Sequence, residues 1–196
     1  MTGMLMIPAA LCLSYVAGSI PTGYWLGRAF CGKDIRKEGS GNIGATNTMR
    51  CLGKGYGALA LAVDVFKGWV AVMLFAKLHS WEYLPIACGL AAILGHTFSL
   101  FVRFRGGKGV ATSAGVFIAL APMPAVIAGA VFLVVVVVTR MVSAGSVSSA
   151  AALAASVFLF DLPTPTRVFT VIVALLIIIR HQSNLRRIWR HQEPKL

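Results

Sequence analysis

The chain has 196 residues, of which 58% are hydrophobic and only 12% are charged. The mean hydropathy is +0.81, and several apolar runs approach the roughly 20 residues that a helix needs to cross a bilayer. These features predict an integral membrane protein with little room for a soluble domain. The formal charge of +12 is not taken as a sign of nucleic-acid binding, because basic residues between spans are first a topology signal. The four cysteines show no C-x-x-C pair or metal-ligand spacing and are interpreted as reduced thiols.

Seven apolar segments predict an all-α, polytopic membrane helix bundle of one domain, residues 1–196, with a basic tail at about 180–196. The first span carries a Gly-Ser-Ile-Pro-Thr-Gly interruption that predicts a kink, and a neighbouring helix is expected to satisfy the freed carbonyl. The predicted spans cover about 4–30, 56–76 and 83–102, two spans within 109–139 that break at 122–124 (the first of them short), one ending near 160 and one ending near 179.

The basic residues fix the expected orientation. With the tail in the cytoplasm, the connections containing Lys33, Arg50, Lys108 and Arg140 lie on the same side. The other side keeps only two basic residues, Lys77 and Arg167. The positive-inside rule therefore predicts an extracytoplasmic N-terminus and a cytoplasmic C-terminus. Every glycine- and hydroxyl-rich polar segment then falls on the cytoplasmic face, where one composite site is expected.

Residues 39–50, Gly-Ser-Gly-Asn-Ile-Gly-Ala-Thr-Asn-Thr-Met-Arg, are the most glycine-rich run, and Lys33, Arg36 and Lys37 precede them. Glycine lets backbone N–H groups turn toward one point, and hydroxyls and amides add donors, so the run suits an anion, most plausibly phosphate. A flexible linker fits the composition equally well. The run also matches G-x-G-x-x-G, but apolar helix-like segments flank it instead of a βαβ unit, which excludes the dinucleotide interpretation.

Two further segments favour anion binding. Residues 103–112, Arg-Phe-Arg-Gly-Gly-Lys-Gly-Val-Ala-Thr, begin a span, and a helix N-terminus with lysine nearby attracts phosphate. The spacing is not that of a Walker A motif, and a topology anchor is the alternative. In the tail, His181, Asn184 and Arg187 recur at helical spacing and could hold a phosphate together. The alternative there is a basic segment lying on anionic headgroups.

Two ionisable groups, Asp64 and Lys67, stand three residues apart inside the second span and predict a structural ion pair. His96, in the third span, is expected to form an interhelical hydrogen bond. No histidine begins an H-x-x-x-x-D dyad, and the sequence has no G-x-S-x-G nucleophile elbow. Any enzyme built on this chain would therefore act mainly by binding anions and positioning reactants.

Taken together, these segments resemble the acyl-phosphate:glycerol-3-phosphate acyltransferases (PlsY), a family of small bacterial membrane enzymes. The tail is similar to the family pattern H-x-x-N-x-x-R-L-x-x-G-x-E-x-K, with Ile188 in place of leucine and His191 in place of glycine. If that glycine turns with a positive φ, His191 fits it poorly. The other matching motifs are GSIPTGY at 18–24, GSGNIGATN at 39–47 followed by Arg50, DVFKG at 64–68, GH at 95–96 and GGKGVAT at 106–112.

The resemblance implies acyl transfer from a fatty acyl phosphate to the 1-hydroxyl of sn-glycerol 3-phosphate, giving lysophosphatidic acid and phosphate at the start of phospholipid synthesis. It implies no cofactor and no metal, a monomer in the bacterial cytoplasmic (inner) membrane, and an active site on the cytoplasmic face. The opening loop, chiefly Ser40, Gly41, Asn42 and Gly44, would hold the acyl phosphate and the developing oxyanion. The proton acceptor is either His181 or a substrate phosphate oxygen, and the phosphate is favoured because no acid orients the histidine.

The site residues carried over from the resemblance form two groups. The catalytic set is Ser40, Lys108, His181 and Asn184. The substrate-binding set is Gly41, Asn42, Gly44, Thr46, Asn47, Arg50, Gly107, Gly109, Ser143, Ser146, Arg187 and Glu193.

Two other classes of function remain open from the sequence. A transporter or channel for a phosphorylated solute would suit the basic, glycine-rich segments, although no repeated halves are visible. A membrane scaffold that binds anionic lipid would explain the tail but not the separate glycine-rich loops.

Overall fold

A computed structural model describes residues 2–196, with side chains from residue 5 onward. Met1, the first residue of the predicted domain, lies outside the described part. The described residues form helices and connecting turns, and none of them lies in a strand. The helices are α1 Thr2–Ser19, α2 Thr22–Phe30, α3 Ala45–Leu52, α4 Lys54–Met73, α5 Leu84–Thr97, α6 Val110–Leu120, α7 Pro122–Thr139, α8 Val142–Ser156, α9 Thr164–Arg180 and α10 Gln182–Trp189. The prediction of an all-helical membrane protein is confirmed at this level.

The chain divides into two compact units, Met1–Ala119 and Leu120–Leu196. In the first unit, glycines bring helices into close contact, as is common in membranes. Gly18 and Gly95 place α1 directly against α5, and Gly68 and Gly115 do the same for α4 and α6. A Cβ at any of these four glycines would overlap the backbone of the facing helix.

The second unit contains α7 to α10. Gly145 of α8 lies against Phe132 and Val136 of α7. The outer surface of α7 is strongly apolar, and Val137 and Val138 are more than three-quarters exposed, at 76% and 77%. Such a surface suits contact with lipid chains. Helix α10 packs against α8 and α9 and so fixes the tail to the unit.

Each of the seven predicted apolar segments contains a helix, but the number of crossings is not settled by length. Among the described residues, four segments are long and apolar enough to cross a membrane, and up to six are if each bent pair counts as one span. The bent pairs are α1 with α2, at 49°, and α9 with α10, at 56°. The 11-residue α6 is only about 16 Å long at 1.5 Å per residue, against a hydrocarbon core of about 30 Å.

The kink predicted in the first span is a complete break at Ile20 and Pro21. Lys67 of α4 donates a hydrogen bond to the carbonyl of Ile20 at 2.9 Å, and Ser99 donates one to the carbonyl of Ser19 at 2.5 Å. The expectation that neighbouring elements satisfy the freed carbonyls is therefore confirmed. Helix α3, in contrast, was not predicted: the polar loop was expected to run to Lys54, and its second half is helical.

Candidate functional site

The loop before α3 is built around one buried amide side chain, that of Asn47. Its Nδ2 donates to the carbonyls of Ile35 at 2.8 Å and Glu38 at 3.2 Å. Its Oδ1 accepts a hydrogen bond from the backbone N–H of Ser40 at 2.8 Å. Asn47 is only 2% exposed, and its three hydrogen bonds shape the loop from inside.

The backbone amides of this loop are mostly engaged within it. The N–H of Gly41 donates to the carbonyl of Glu38 at 3.0 Å, and the N–H of Gly44 donates to Oδ1 of Asn42 at 2.8 Å. In this structure the amides of Ser40, Gly41 and Gly44 therefore donate within the loop and do not converge on one point, and the role of these residues in substrate binding stays a prediction. Groups that could contact a ligand include the exposed side chain of Ser40 and the amides of Ala45 and Thr46, the first two of α3, which have no acceptor within the helix.

The basic residues beside this loop are partly neutralised by local ion pairs. Arg36 donates to both carboxylate oxygens of Asp34, at 2.9 and 2.7 Å, and its guanidinium lies over the ring of Tyr24 at 4.3 Å. Hydrogen bonding from Arg36 lowers the pKa of Asp34 to about 2. Lys33 lies 3.7 Å from the carboxylate of Glu38. The Arg36–Asp34 pair helps to fix the loop, and both pairs reduce the net positive charge beside it.

The loop of residues 106–109 precedes α6 in the same unit. The amides of Gly106 and Gly107 donate to the carbonyls of Thr97 at 3.1 Å and His96 at 3.0 Å, which pins the loop to the end of α5. The amide of Gly107 is therefore occupied by the carbonyl of His96 in this structure, and its predicted role in substrate binding stays a prediction. Gly109 has a φ of +83°, a conformation that favours glycine.

The start of α6 has the properties expected of an anion-binding helix end. Lys108 is half-buried beside it. Within the described residues, the buried hydroxyls of Thr97, Thr112 and Ser113 have no hydrogen-bond partner. Those of Thr97 and Ser113 lie close to Gly109, within 4 Å of the position that its Cβ would take. Together with the first amides of the helix, these groups could bind a phosphate.

A buried polar network lies behind this loop. Lys67 Nζ lies 2.8 Å from Oδ1 of Asp64 and 3.0 Å from Nδ1 of His96. Asp64 Oδ1 also accepts a hydrogen bond from the hydroxyl of Thr22 at 3.0 Å. The predicted ion pair and the predicted interhelical contact of His96 are both confirmed. Sequence reasoning missed Thr22, whose only signal was its position directly after the Pro21 break.

In the second unit, the carboxylate of Glu193 joins two of the predicted tail residues. Its Oε1 accepts a hydrogen bond from Asn184 Nδ2 at 2.6 Å, and its Oε2 accepts one from Arg187 Nε at 2.7 Å. The carboxylate of Glu193 thereby orients the side chains of Asn184 and Arg187, and its predicted role in substrate binding stays a prediction. The prediction that Asn184 and Arg187 lie near each other is confirmed.

The surroundings of Glu193 favour its charged carboxylate over the neutral acid. Burial alone would raise the pKa of the carboxyl group, but the polar groups of Ser143, Asn184 and Arg187 outweigh burial and lower that pKa. The buried hydroxyl of Ser143 forms no hydrogen bond of normal geometry within the described residues, so we treat its influence as that of a nearby dipole. Ser146 donates to the carbonyl of Val142 at 2.9 Å.

His181 lies at the bend between α9 and α10 and is only 3% exposed. Its Nδ1 is 2.8 Å from the carbonyl of Ile177. Since a carbonyl can only accept, Nδ1 carries a hydrogen, and in the neutral ring Nε2 is the unprotonated nitrogen. His191 has a φ of +55°, which confirms that the residue at this position turns in the left-handed region.

The predicted site residues thus fall into groups defined by local structure. The first unit holds Ser40, Gly41, Asn42, Gly44, Thr46, Asn47 and Arg50 around α3, and Gly107, Lys108 and Gly109 before α6. The second unit holds Ser143, Ser146, His181, Asn184, Arg187 and Glu193. Within the described residues, no three histidine, cysteine or acidic side chains are grouped as a metal site would require.

Comparison with known proteins gives a consistent result over almost the whole chain. The family model described as "Glycerol-3-phosphate acyltransferase" matches residues 8–191. A glycerol-3-phosphate acyltransferase of Trichlorobacter lovleyi is 46% identical over 182 residues, which cover 93% of each chain. One of Listeria monocytogenes is 46% identical over 187 residues, 94% of this chain and 93% of the relative.

Solved structures show the same likeness. The crystal structure of PlsY (YgiH), an integral membrane glycerol 3-phosphate acyltransferase, in its glycerol 3-phosphate form is similar with a TM-score of 0.91 and 33% identity, covering 97% of this chain and 95% of that one. Its lysophosphatidic acid form gives a TM-score of 0.88 over the same shares. On this evidence the chain is an integral membrane protein that belongs to the glycerol-3-phosphate acyltransferase family, PlsY.

Proposed function

We propose that this protein transfers a fatty acyl group from an acyl phosphate to the 1-hydroxyl of sn-glycerol 3-phosphate, releasing lysophosphatidic acid and inorganic phosphate. The hydroxyl oxygen attacks the acyl carbonyl carbon, the bond from that carbon to the phosphate oxygen breaks, and the hydroxyl proton passes to a base. The observation that carries the proposal is the whole-chain likeness to one protein captured in a glycerol 3-phosphate form and a lysophosphatidic acid form. These two ligands differ by one acyl group.

The two anionic reactants require two anion-binding regions, and the first unit offers candidates for both. Ser40, with the first amides of α3, is assigned to the acyl phosphate and to the oxyanion that develops on its carbonyl. Lys108, with the start of α6, is assigned to glycerol 3-phosphate. The internal hydrogen bonds of Asn47 and Gly107 change their assignment from substrate contact to support of the two loops.

The tail is proposed to orient the acyl acceptor, glycerol 3-phosphate. Glu193 holds Asn184 and Arg187 by charge-assisted hydrogen bonds at 2.6 and 2.7 Å, so their remaining donors have a fixed direction. Holding a reactant in a fixed orientation can lower a barrier by several kcal/mol. Ser146 and Arg50 are each assigned to substrate binding within their own unit, and Glu193 acts by positioning.

The assay that tests the function uses protein purified in detergent with palmitoyl phosphate and glycerol 3-phosphate. Lysophosphatidic acid and phosphate are expected in equal amounts. Activity with an acyl thioester but none with acyl phosphate would refute the proposed donor. Uptake of glycerol 3-phosphate into vesicles without product would support a transporter instead.

Ser40→Ala tests the role of the first loop. Losing one donor to a developing oxyanion costs about 100- to 1,000-fold in kcat, and a loss of that size is expected with unchanged yield and thermal stability. Ser80→Ala is the matched control, because Ser80 is an exposed serine in a different connection. A fully active Ser40→Ala protein would refute the assignment.

His181→Gln separates the two candidate bases. The hydrogen bond to Ile177 leaves Nε2 of the neutral ring as an acceptor. The partner of Nδ1 in that bond is a neutral carbonyl, which stabilises an imidazolium less than a charged acceptor would, and we assign the proton to a substrate phosphate oxygen. The variant is therefore expected to keep a kcat within about tenfold of the wild type, since general-base catalysis by a side chain contributes about 100- to 10,000-fold. A loss of 100-fold or more at saturating substrates would make His181 the base.

A further inference from the structure

His96 connects the interior of the first unit to the loop that precedes α6. The side chain is only 4% exposed, and its two ring nitrogens face different partners. Nδ1 lies 3.0 Å from Lys67 Nζ. On the other edge, a Cβ at Gly107 would overlap Nε2, so the backbone of Gly107 lies directly against that nitrogen. The reaction described above uses neither His96 nor Lys67.

Lys67 determines which ring nitrogen of His96 carries the hydrogen. Its ammonium group is surrounded by three acceptors: Asp64 Oδ1 at 2.8 Å, the carbonyl of Ile20 at 2.9 Å and His96 Nδ1 at 3.0 Å. Three hydrogens match three acceptors, and the adjacent carboxylate favours the charged amine. Nδ1 therefore accepts, and the hydrogen of the neutral ring is on Nε2, the edge that meets the loop.

The loop is attached to the same residue a second time. The N–H of Gly107 donates to the backbone carbonyl of His96 at 3.0 Å, and the N–H of Gly106 donates to the carbonyl of Thr97 at 3.1 Å. A Cβ at Gly106 would overlap the carbonyl of His96. Ring and main chain of His96 thus form one surface against which the two glycines lie.

We propose that His96 is a positioning residue for the loop of residues 106–109. Lys67 holds the ring with its Nε2–H edge toward Gly107, and the ring holds the backbone that carries Lys108 and the start of α6. The assignment of the bound anion as the phosphate of glycerol 3-phosphate rests on the proposed function, but the support of the loop does not.

Two substitutions of similar size separate the two ring edges. His96→Gln places an amide N–H near the position of Nε2 and so keeps a donor beside the loop. His96→Asn places an acceptor near the position of Nδ1 and has no group at the position of Nε2. The glutamine variant is expected to keep the KM for glycerol 3-phosphate within about threefold of the wild type. The asparagine variant is expected to raise it about tenfold, which corresponds to about 1.4 kcal/mol of lost binding, because the loop loses the ring edge against which Gly107 lies; the KM for palmitoyl phosphate should be unchanged.

Hydrogen–deuterium exchange of the 103–110 peptide provides a measurement that needs no substrate. Exchange should be faster in His96→Asn and close to wild type in His96→Gln. His79→Asn is the matched control, since His79 lies in the connection before α5 and its ring accepts a hydrogen bond from the N–H of Trp81. It should change neither exchange nor KM.

Equal KM values and equal exchange in the glutamine and asparagine variants would overturn the proposal. If His96 were needed only for folding, both variants would have a lower thermal midpoint, and they would not differ from each other in KM or in exchange. If the wild type made no lysophosphatidic acid, the proposed function would fail, and the exchange experiment would still decide whether His96 positions the loop.

Discussion

Glu193 is the residue whose ionisation the local structure defines best. Its carboxyl pKa is lowered below the ordinary 4.5, because hydrogen bonds outweigh burial. A lowered pKa in the folded state means that the charge stabilises the fold fully above the unfolded-state pKa, and that this contribution is lost as the pH falls through the lower folded value. The stabilisation should therefore be constant from pH 8 to about 5 and decline only in stronger acid.

Glu193→Gln measures this contribution. The amide can still accept from Asn184, but its NH2 group would face the Nε–H of Arg187, which leaves two donors opposed. We expect a loss of about 1–3 kcal/mol in the free energy of unfolding at neutral pH, and the difference from wild type should disappear at low pH. Asp161→Asn is the control, because the Asp161 carboxylate is fully exposed and 3.7 Å from its partner Arg167. A difference that stayed constant down to pH 2 would contradict the role of the charge.

His191 is a second residue with a measurable consequence. It ends α10 with a φ of +55°, and the amides of His191 and Gln192 donate to the carbonyls of Ile188 at 3.0 Å and Arg187 at 2.8 Å. Such a turn favours glycine at the left-handed position. The left-handed conformation costs an L-residue about 1–2 kcal/mol, and part of the gain from glycine is offset by its freedom in the unfolded chain.

His191→Gly is therefore expected to stabilise the protein by about 0.5–1 kcal/mol, seen as a higher thermal midpoint in detergent. Arg190→Gly, one residue earlier, is the matched control: Arg190 has a φ of −87°, which suits any residue, and glycine there should lower the midpoint. A lower midpoint for His191→Gly would show that the imidazole makes a contact worth more than the strain.

The sequence predicts contacts within one helix more readily than contacts between helices. Asp64 and Lys67 are three residues apart, and that spacing alone predicted their ion pair. Thr22 and His96 complete the network from other helices, and the packing that brings them to Lys67 cannot be read from spacing. The internal use of the Ser40, Gly41 and Gly44 amides was missed for a related reason, because glycine content indicates freedom to turn but not the direction in which the N–H groups finally point.

Among the helices, the break between α1 and α2 and the short α6 were predicted because proline leaves a clear signal. Helix α3 was missed because Ala-Thr-Asn-Thr is a weak helix-forming sequence. The structure supplies what the local sequence lacks: the hydroxyl of Thr48 bonds to the carbonyl of Gly44 at 3.1 Å, and Asn47 joins the helix to the loop. As a result, Arg50 projects from a helix and not from a mobile loop.

Membrane topology is a property of the whole chain that the sequence predicts but that helix length alone does not determine. Basic residues are concentrated in alternate connections, which predicts an extracytoplasmic N-terminus and a cytoplasmic C-terminus. Among the predicted crossings, the 11-residue α6 is the shortest. If α6 did not cross and α7 did, Arg140 would lie on the opposite side from Lys108. The position of Arg140 therefore tests whether α6 and α7 cross as a pair.

Reporter fusions decide this directly. Alkaline phosphatase, which is active only outside the cytoplasm, should be active when fused after Ser80 and inactive when fused after Arg105, Arg140 or Leu196. Green fluorescent protein, which matures in the cytoplasm, should show the reverse pattern. The Ser80 and Arg105 fusions serve as internal controls, because they flank α5, a long apolar segment of 19 residues with its following turn. An active phosphatase after Arg140 would remove α6 from the crossings, and the positive-inside arrangement would then fail for the second half of the chain.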